Sequence, residues 1–365
     1  MLYSKVKKSR NSFKSLVYAL IFFIIIQAAI GYYVNLGMVY HYRLDYKMFL
    51  NNKKTIEVVV EEIARTIKKR KLEDYIILIG NSVAWGTNET SDHSLGKYLN
   101  DLAAADSPHR QVVFNLSAPS MHAGDIYTLL LMLEKQGIPA GNLMVGLGYS
   151  AFADLSSGPR AVFWLGDYLR ELDRKAFADV REQIVSQGYK YKSGWDYVED
   201  KYMHKALSIL PLYKYKDVIE SYRELQEAGT DLLGDPRPWH EKPYPAERLE
   251  SKEYLKFFDS RPFVMDEHNW GIYFMNKILE HQQGKRTLVF VAGGNSELTR
   301  KEVTHPGYQS NLKLIEQFFN RDDVIFVQMQ DKISPDLFTD HVHLTKEGNQ
   351  VLASILWRNW LGEEV

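Results

Sequence analysis

The sequence predicts an α/β protein: a five-stranded parallel sheet covered by helices on both faces, preceded by a transmembrane helix and interrupted by a mostly helical insertion. Three observations carry this expectation. Five short, nearly continuous apolar runs are each flanked by turn residues or helical patterns, as in strands buried on both faces. An uncharged stretch fills residues 15–40. Between residues 151 and 285 the strand–helix rhythm stops, with no strong strand signal.

Taken in order, residues 1–14 form a basic tail, with Lys5, Lys7, Lys8, Arg10 and Lys14. Residues 15–40, "SLVYALIFFIIIQAAIGYYVNLGMVY", exceed the about 20 apolar residues that cross a hydrocarbon core. Tyr32, Tyr33 and Tyr40 stand near the far end, where aromatic rings settle at an interface. Basic residues stay on the cytoplasmic side, so the remainder is expected outside the cytoplasm. The alternative, a cleaved signal peptide, fits less well because the apolar run is longer than a signal core. Residues 41–73 are charged with helical spacing. Ile56, Val59, Val60, Ile63 and Ile67 share one face, which predicts an amphipathic stalk or first helix.

The expected strands are "YIILIG" (75–80), "QVVFNLS" (111–117), "NLMVGLG" (142–148), "TLVFVAGG" (287–294) and "VIFVQMQ" (324–330). They divide the core into a first part, 74–150, and a second, 286–365. Residues 125–137, 310–320 and 347–361 have the spacing of connecting helices. The interval 151–285 is rich in Tyr, Trp, Lys and Glu and contains the Pro-rich 234–249. It is too long for a simple crossover. Lying over one end of the sheet it would shape a substrate cleft; equally, it would serve as a packing or partner-binding subdomain.

Composition excludes several chemistries. The formal net charge of −1 offers no basic excess for a nucleic-acid partner. The absence of cysteine removes disulfides, thiolate catalysis and Cys-ligated zinc. His122, Asp125 and His305 near strand ends are candidate metal ligands, but their spacing matches no zinc motif. "GLG" at 146–148 is too short for a dinucleotide fingerprint. No metal and no cofactor are expected. Trp239, His240 and Tyr244 are candidates to line a carbohydrate cleft, and equally to make partner or packing contacts.

Two short segments carry chemistry. Gly80-Asn81-Ser82 follows the first strand; a serine there needs a base within hydrogen-bond reach and donors for an oxyanion. Alone, the turn reads as well as a helix cap by Asn81 or Ser82. After the last strand, "DHVHLTKEGN" (340–349) spaces Asp340 and His343 three residues apart. That spacing lets the carboxylate hold one imidazole nitrogen while the other faces away, which is how a general base is oriented. His341 is a rival base with poorer spacing, and Thr345 is a candidate cap for the following helix. Both segments leave the carboxyl edge of one sheet.

These segments resemble the first and last blocks of the SGNH (GDSL-type) hydrolases, a superfamily of esterases, lipases and acyltransferases. "GNSVAWG" (80–86) is similar to Gly-Asp-Ser-x-x-x-Gly, with Asn81 in place of the aspartate; "DHVHLTKEGN" is similar to Asp-x-x-His-Leu-Thr-x-x-Gly. The resemblance covers roughly 74–150 and 286–361. It implies a three-layer α/β/α sandwich of SGNH/flavodoxin-like type, with Ser82 as nucleophile, His343 as base and Asp340 as its orienting acid. The middle blocks depart from the pattern. In "FNLSAPSMHAG" (114–124), Ser120 stands near the oxyanion glycine and Gly124 comes later. In "GLGYSAF" (146–152), Tyr149 stands for the third-block asparagine, and Asn295 is another source of an amide. Ser120, Gly124, Tyr149 and Asn295 are therefore the oxyanion or substrate candidates. Membrane-anchored domains of this kind resemble proteins of alginate O-acetylation and of D-alanine transfer to teichoic acids. The implied function is a serine esterase or acyltransferase on an acylated polysaccharide or envelope polymer, beside a membrane-bound O-acyltransferase. The competing expectation is a catalytically weak scaffold that docks such an acyltransferase or binds the polymer.

Overall fold

The computed structural model describes residues 2–106, 111–153, 164–243 and 251–363. Among them, strands β1 (Tyr75–Gly80), β2 (Val112–Asn115), β3 (Asn142–Gly148), β4 (Arg286–Ala292) and β5 (Val324–Gln328) form one parallel sheet in the order β2-β1-β3-β4-β5. All five apolar runs are strands, the second, fourth and last shortened at their ends. Side chains alternate across the sheet. Ile77, Ile79, Leu143 and Val145 enter one apolar cluster; Ile76, Leu78 and Met144 enter another. The chain leaves β1 toward β2 and later returns to its other side with β3. That reversal opens a crevice at the carboxyl ends of β1 and β3.

The N-terminal expectations need correcting at two points. Helix α1 (Leu2–Tyr33) contains a stretch, Phe13–Tyr33, long and apolar enough to cross a membrane. It ends at Tyr33, not at residue 40. Val34 and Val39 are buried in the folded domain, the latter on α2 (Leu36–Val39), and the Tyr40 hydroxyl accepts from Asn115 N at 2.7 Å. The segment 41–73 is no stalk either. After α3 (Tyr46–Asn51), helix α4 (Thr55–Arg70) buries Ile56, Val59, Val60 and Ile63 in the core beneath the sheet. Its apolar face is a packing face because α2, α3 and the rest of this apolar cluster cover it.

After β1 come the short α5 (Ser82–Trp85) and α6 (Leu95–Asp106), and β2 leads to α7 (Ala123–Lys135). The insertion is mostly helical, as expected: α8 (Gly166–Leu172), α9 (Arg174–Ser186), α10 (Gly194–Leu207) and α11 (Pro211–Ala228). Helices α8 and α11 pack on α7, α4 and α1 rather than over the carboxyl edge of the strands. Among the described residues, only its last leg, residues 230–243 and 251–258, runs past the loop after β5. The insertion also ends earlier than expected, because α12 (Trp270–His281) buries Ile272, Phe274 and Met275 in the sheet-side cluster. Helices α13 (Pro306–Phe319) and α14 (Lys346–Leu361) complete the order, α14 beside α6 on the opposite face.

Candidate active site

The turn after β1 is built by two glycines. A Cβ on Gly80 would stand 2.5 Å from Gly146 O and 2.8 Å from Ala84 Cβ, and one on Gly146 would meet Ala84 and Phe290. Without side chains at both positions, α5 folds back against the strand ends. Asn81 is its N-cap, accepting from Val83 N at 3.1 Å. Ser82 is the first helical residue, where a backbone N–H has no intrahelical acceptor.

His343 Nε2 lies 2.8 Å from Ser82 Oγ, and His343 Nδ1 lies 2.7 Å from Asp340 Oδ2. With Nδ1–H donating to the carboxylate, Nε2 is left to accept the serine proton. The Asp340-x-x-His343 spacing works through one tight turn. Asp340 Oδ1 accepts from Val342 N at 2.9 Å and His343 N at 2.8 Å, while Oδ2 takes the ring. A bridge between Phe338 and Leu344 closes the loop, and Thr345 caps α14 by accepting from Gly348 N. Burial alone would raise the Asp340 carboxyl. The charge and hydrogen bond of His343, the charge of His341 and the Val342 amide outweigh it, holding the group far below the usual carboxylate range.

Sequence reasoning missed two supports. Asn88, in a left-handed conformation (φ 72°), donates from Nδ2 to Thr339 Oγ1 at 2.7 Å and to Asp340 Oδ2 at 3.3 Å. Arg43 is buried behind the serine turn. It stacks 3.6 Å over Trp85 and donates to Gly86 O, Glu89 O and the Asp231 carboxylate at 2.8–3.0 Å. The last leg of the insertion buttresses the same loops: Asn88 N donates to Leu233 O, Trp239 N to Phe338 O, and Lys242 Nζ to Thr339 O. His341 sits among Tyr254, Phe257 and Phe258, with its ring centroid 6.3 Å from that of His343, so it flanks the relay.

The four oxyanion candidates are not brought together. Ser120 comes nearest in kind: it occupies the third position of a turn closed by Met121 N to Ala118 O, with φ 63°, a conformation glycine adopts most easily. Ala118 N donates to Gly80 O, which sets that turn beside the serine turn. Gly124 is buried inside α7, its carbonyl taken by Thr128 Oγ1. Tyr149 is committed elsewhere: its hydroxyl donates to Asp259 O at 2.5 Å and accepts from Asn311, and its ring stacks on Tyr308. Asn295 braces the histidine loop, its N–H on His341 O and its amide toward Pro335 O and Asp340 O. The unanticipated neighbour is Asn81, whose Nδ2 lies 2.9 Å from where a Cβ on Gly148 would stand.

The remaining candidates have structural duties. Asp125 accepts from His122 N, Trp164 N and Leu165 N, and His305 caps α13 through Gly307 N. Among the described residues no group of three or more potential metal ligands occurs. Trp239 Nε1 donates to Pro335 O and its ring meets that of His240 edge-on; Tyr244 lies outside the described residues. A cavity of about 690 Å³ lies between α4, α7, α8 and α10, and Ser82, His343 and Asp340 do not line it. No family model matches the chain, and no curated protein matches it.

Proposed function

We propose that this chain is a membrane-anchored serine esterase or acyltransferase of SGNH type, with its folded domain outside the cytoplasm and its sheet in a three-layer α/β/α sandwich. The observation that carries the reading is the continuous relay from Ser82 Oγ through His343 to Asp340, at 2.8 and 2.7 Å. In the proposed reaction Ser82 Oγ attacks an ester carbonyl while His343 Nε2 takes its proton. The tetrahedral intermediate collapses to a Ser82 acyl-enzyme, and His343 returns the proton to the departing alkoxide. Water, or the hydroxyl of an acceptor polymer, then attacks the acyl carbon with His343 again as base, and the Ser82 Oγ–acyl bond breaks as His343 returns that proton to Ser82 Oγ. Asp340 stays ionised throughout and stabilises the imidazolium.

The oxyanion donors we propose are Ser82 N–H, the backbone N–H at Ser120 and the side-chain amide of Asn81. Counting Gly-x-Asn-Asp from Gly146 brings the family's asparagine to Gly148, not Tyr149. The Asn81 amide lies where a side chain at 148 would begin, so the amide has moved from the third block to the first. The substrate class, an ester-bearing envelope polysaccharide or related polymer, suits a reactive edge that lies outside the 690 Å³ cavity. A membrane-bound O-acyltransferase as acyl donor remains part of this proposal.

The test uses the purified full chain. A serine-reactive phosphonate should add once, at Ser82, by intact mass and peptide mapping. Ser82→Ala and His343→Ala should each abolish turnover of an activated acetyl ester without changing the melting temperature. Unmodified protein together with undiminished rates in both variants would leave only the scaffold reading.

A further inference from the structure

The insertion does not merely sit near α1; it reaches down along it. The turn joining α10 to α11 packs against the apolar span. Leu212 N donates to Gln27 Oε1 at 2.9 Å, and Pro211 lies 3.7 Å from where a Cβ on Gly31 would stand. Gln27 is 8 % exposed although most of Phe13–Tyr33 is bare, because this turn covers it. Gln27 precedes Tyr33 by six residues, about 9 Å at helical rise. If the hydrocarbon layer takes up the span, the turn stands inside its edge.

The chemistry of the turn fits that depth. Residues 206–212, "ALSILPL", carry no charge, and Lys205, Lys214 and Lys216 flank them. Ile209 is 78 % exposed and Leu212 46 %, large for side chains with no protein partner to cover them. Helix α10 has no buried residue, and Tyr202 and Met203, one to two turns above Ile209, are exposed as well. An N–H at a helix start is costly in hydrocarbon unless it is bonded; Pro211 lacks one, and Gln27 takes that of Leu212. An apolar tip with basic flanks is the pattern of an interfacial membrane contact.

We propose that residues 206–212 form a second membrane contact, inserting Ile209 and Leu212 into the leaflet at the C-terminal end of α1. This rests on the proposal that α1 spans a bilayer. Two contacts instead of one would stop the domain swivelling about a single helix and hold the Ser82 edge at one height above the lipid.

The chain has no cysteine, so single thiols report cleanly. Full-length Ile209→Cys and Leu212→Cys, each carrying an environment-sensitive fluorophore, are reconstituted in phosphatidylcholine–phosphatidylglycerol vesicles. Ile24→Cys within the span and Glu227→Cys near the far end of α11 are the references. The expected result is blue-shifted emission, quenching by doxyl lipids and protection from iodide at residues 209 and 212, as at 24 and unlike 227. Iodide quenching at both 209 and 212 matching that at 227, with 24 still in lipid, overturns the second contact and leaves the anchor. Iodide access at 24 overturns the anchor, and the second contact with it.

Discussion

On one side of Ser82 stand His343 and Asp340, both from a single turn whose backbone amides already grip the carboxylate. On the other side, Asn81, the turn at Ser120 and the end of β3 come from three separate connections. The base side is over-determined: Asn88, Asn295 and the insertion's last leg all brace the same loop. Among the described residues, the opposite side holds no comparable network. On the proposed reading, a relay encoded in four consecutive residues is visible as a motif in the sequence, whereas an oxyanion site assembled from distant loops is not.

Breaking the base side should have the largest effect. Asp340→Asn keeps the shape of the turn but removes the charge that fixes the tautomer and stabilises the imidazolium. The expected loss is about 10⁴ in kcat with little change in KM, measured on an activated acetyl ester. A much smaller loss would mean that Asn88 and the loop amides alone orient His343.

The opposite side is probed by Asn81→Asp, which preserves the cap on Val83 N because aspartate caps as well as asparagine. It replaces the proposed donor with an acceptor. A fall of about 10²–10³ in kcat with unchanged melting is expected. An unchanged kcat would remove Asn81 from the oxyanion site.

Two buried carboxyls near the relay are pushed in opposite directions, which gives a test by pH. Asp340 is held down by its histidine, so its stabilising contribution is present above the ordinary carboxylate value and is lost only well below it. Glu89, on the loop after α5, is raised to about 7, chiefly by burial and further by Glu347, against the pull of the Lys346 amide and the charges of Lys346 and Arg43. A raised carboxyl stabilises the fold below its unfolded value near 4.5, and that contribution is lost as pH rises through about 7. Glu89→Gln should therefore equal the parent in stability near pH 4 and exceed it by about 2 kcal/mol near pH 8. Denaturant titrations at the two pH values measure the difference; equal gains at both would place the effect in packing.

The sequence shows the sheet clearly because each strand is buried on both faces and so reads as an unbroken apolar run. It shows Asp340 and His343 because they lie within one turn. It conceals whatever depends on distant pairing. Arg43 looks like one more charge after the apolar helix until Asp231 meets it, and Asn88 looks like a turn residue until the histidine loop arrives 251 positions later. The stalk reading of 41–73 failed because an amphipathic face does not say what covers it. Residues 270–281 fall within the expected insertion because no strand run separates their helix from it. In α6, Leu95, Leu99 and Ala103 have the i, i+4 spacing of a buried face.

The smallest effect is expected where the sequence pattern points to Tyr149. Its hydroxyl lies in a buried cluster with Asn311 and Asp259, and Asn311 Nδ2 also donates to Asp259 O at 3.2 Å and Arg261 O at 2.8 Å. Tyr149→Phe therefore leaves no neighbour stranded, and the ring keeps its stacking on Tyr308. The loss of the hydroxyl's two hydrogen bonds, whose partners stay bonded elsewhere, should cost about 1–2 kcal/mol, seen as a small drop in denaturation midpoint. The rate on the acetyl ester should not change. A fall in kcat comparable to that of Asn81→Asp would instead return Tyr149 to the oxyanion side and require its hydroxyl to leave Asp259 during turnover.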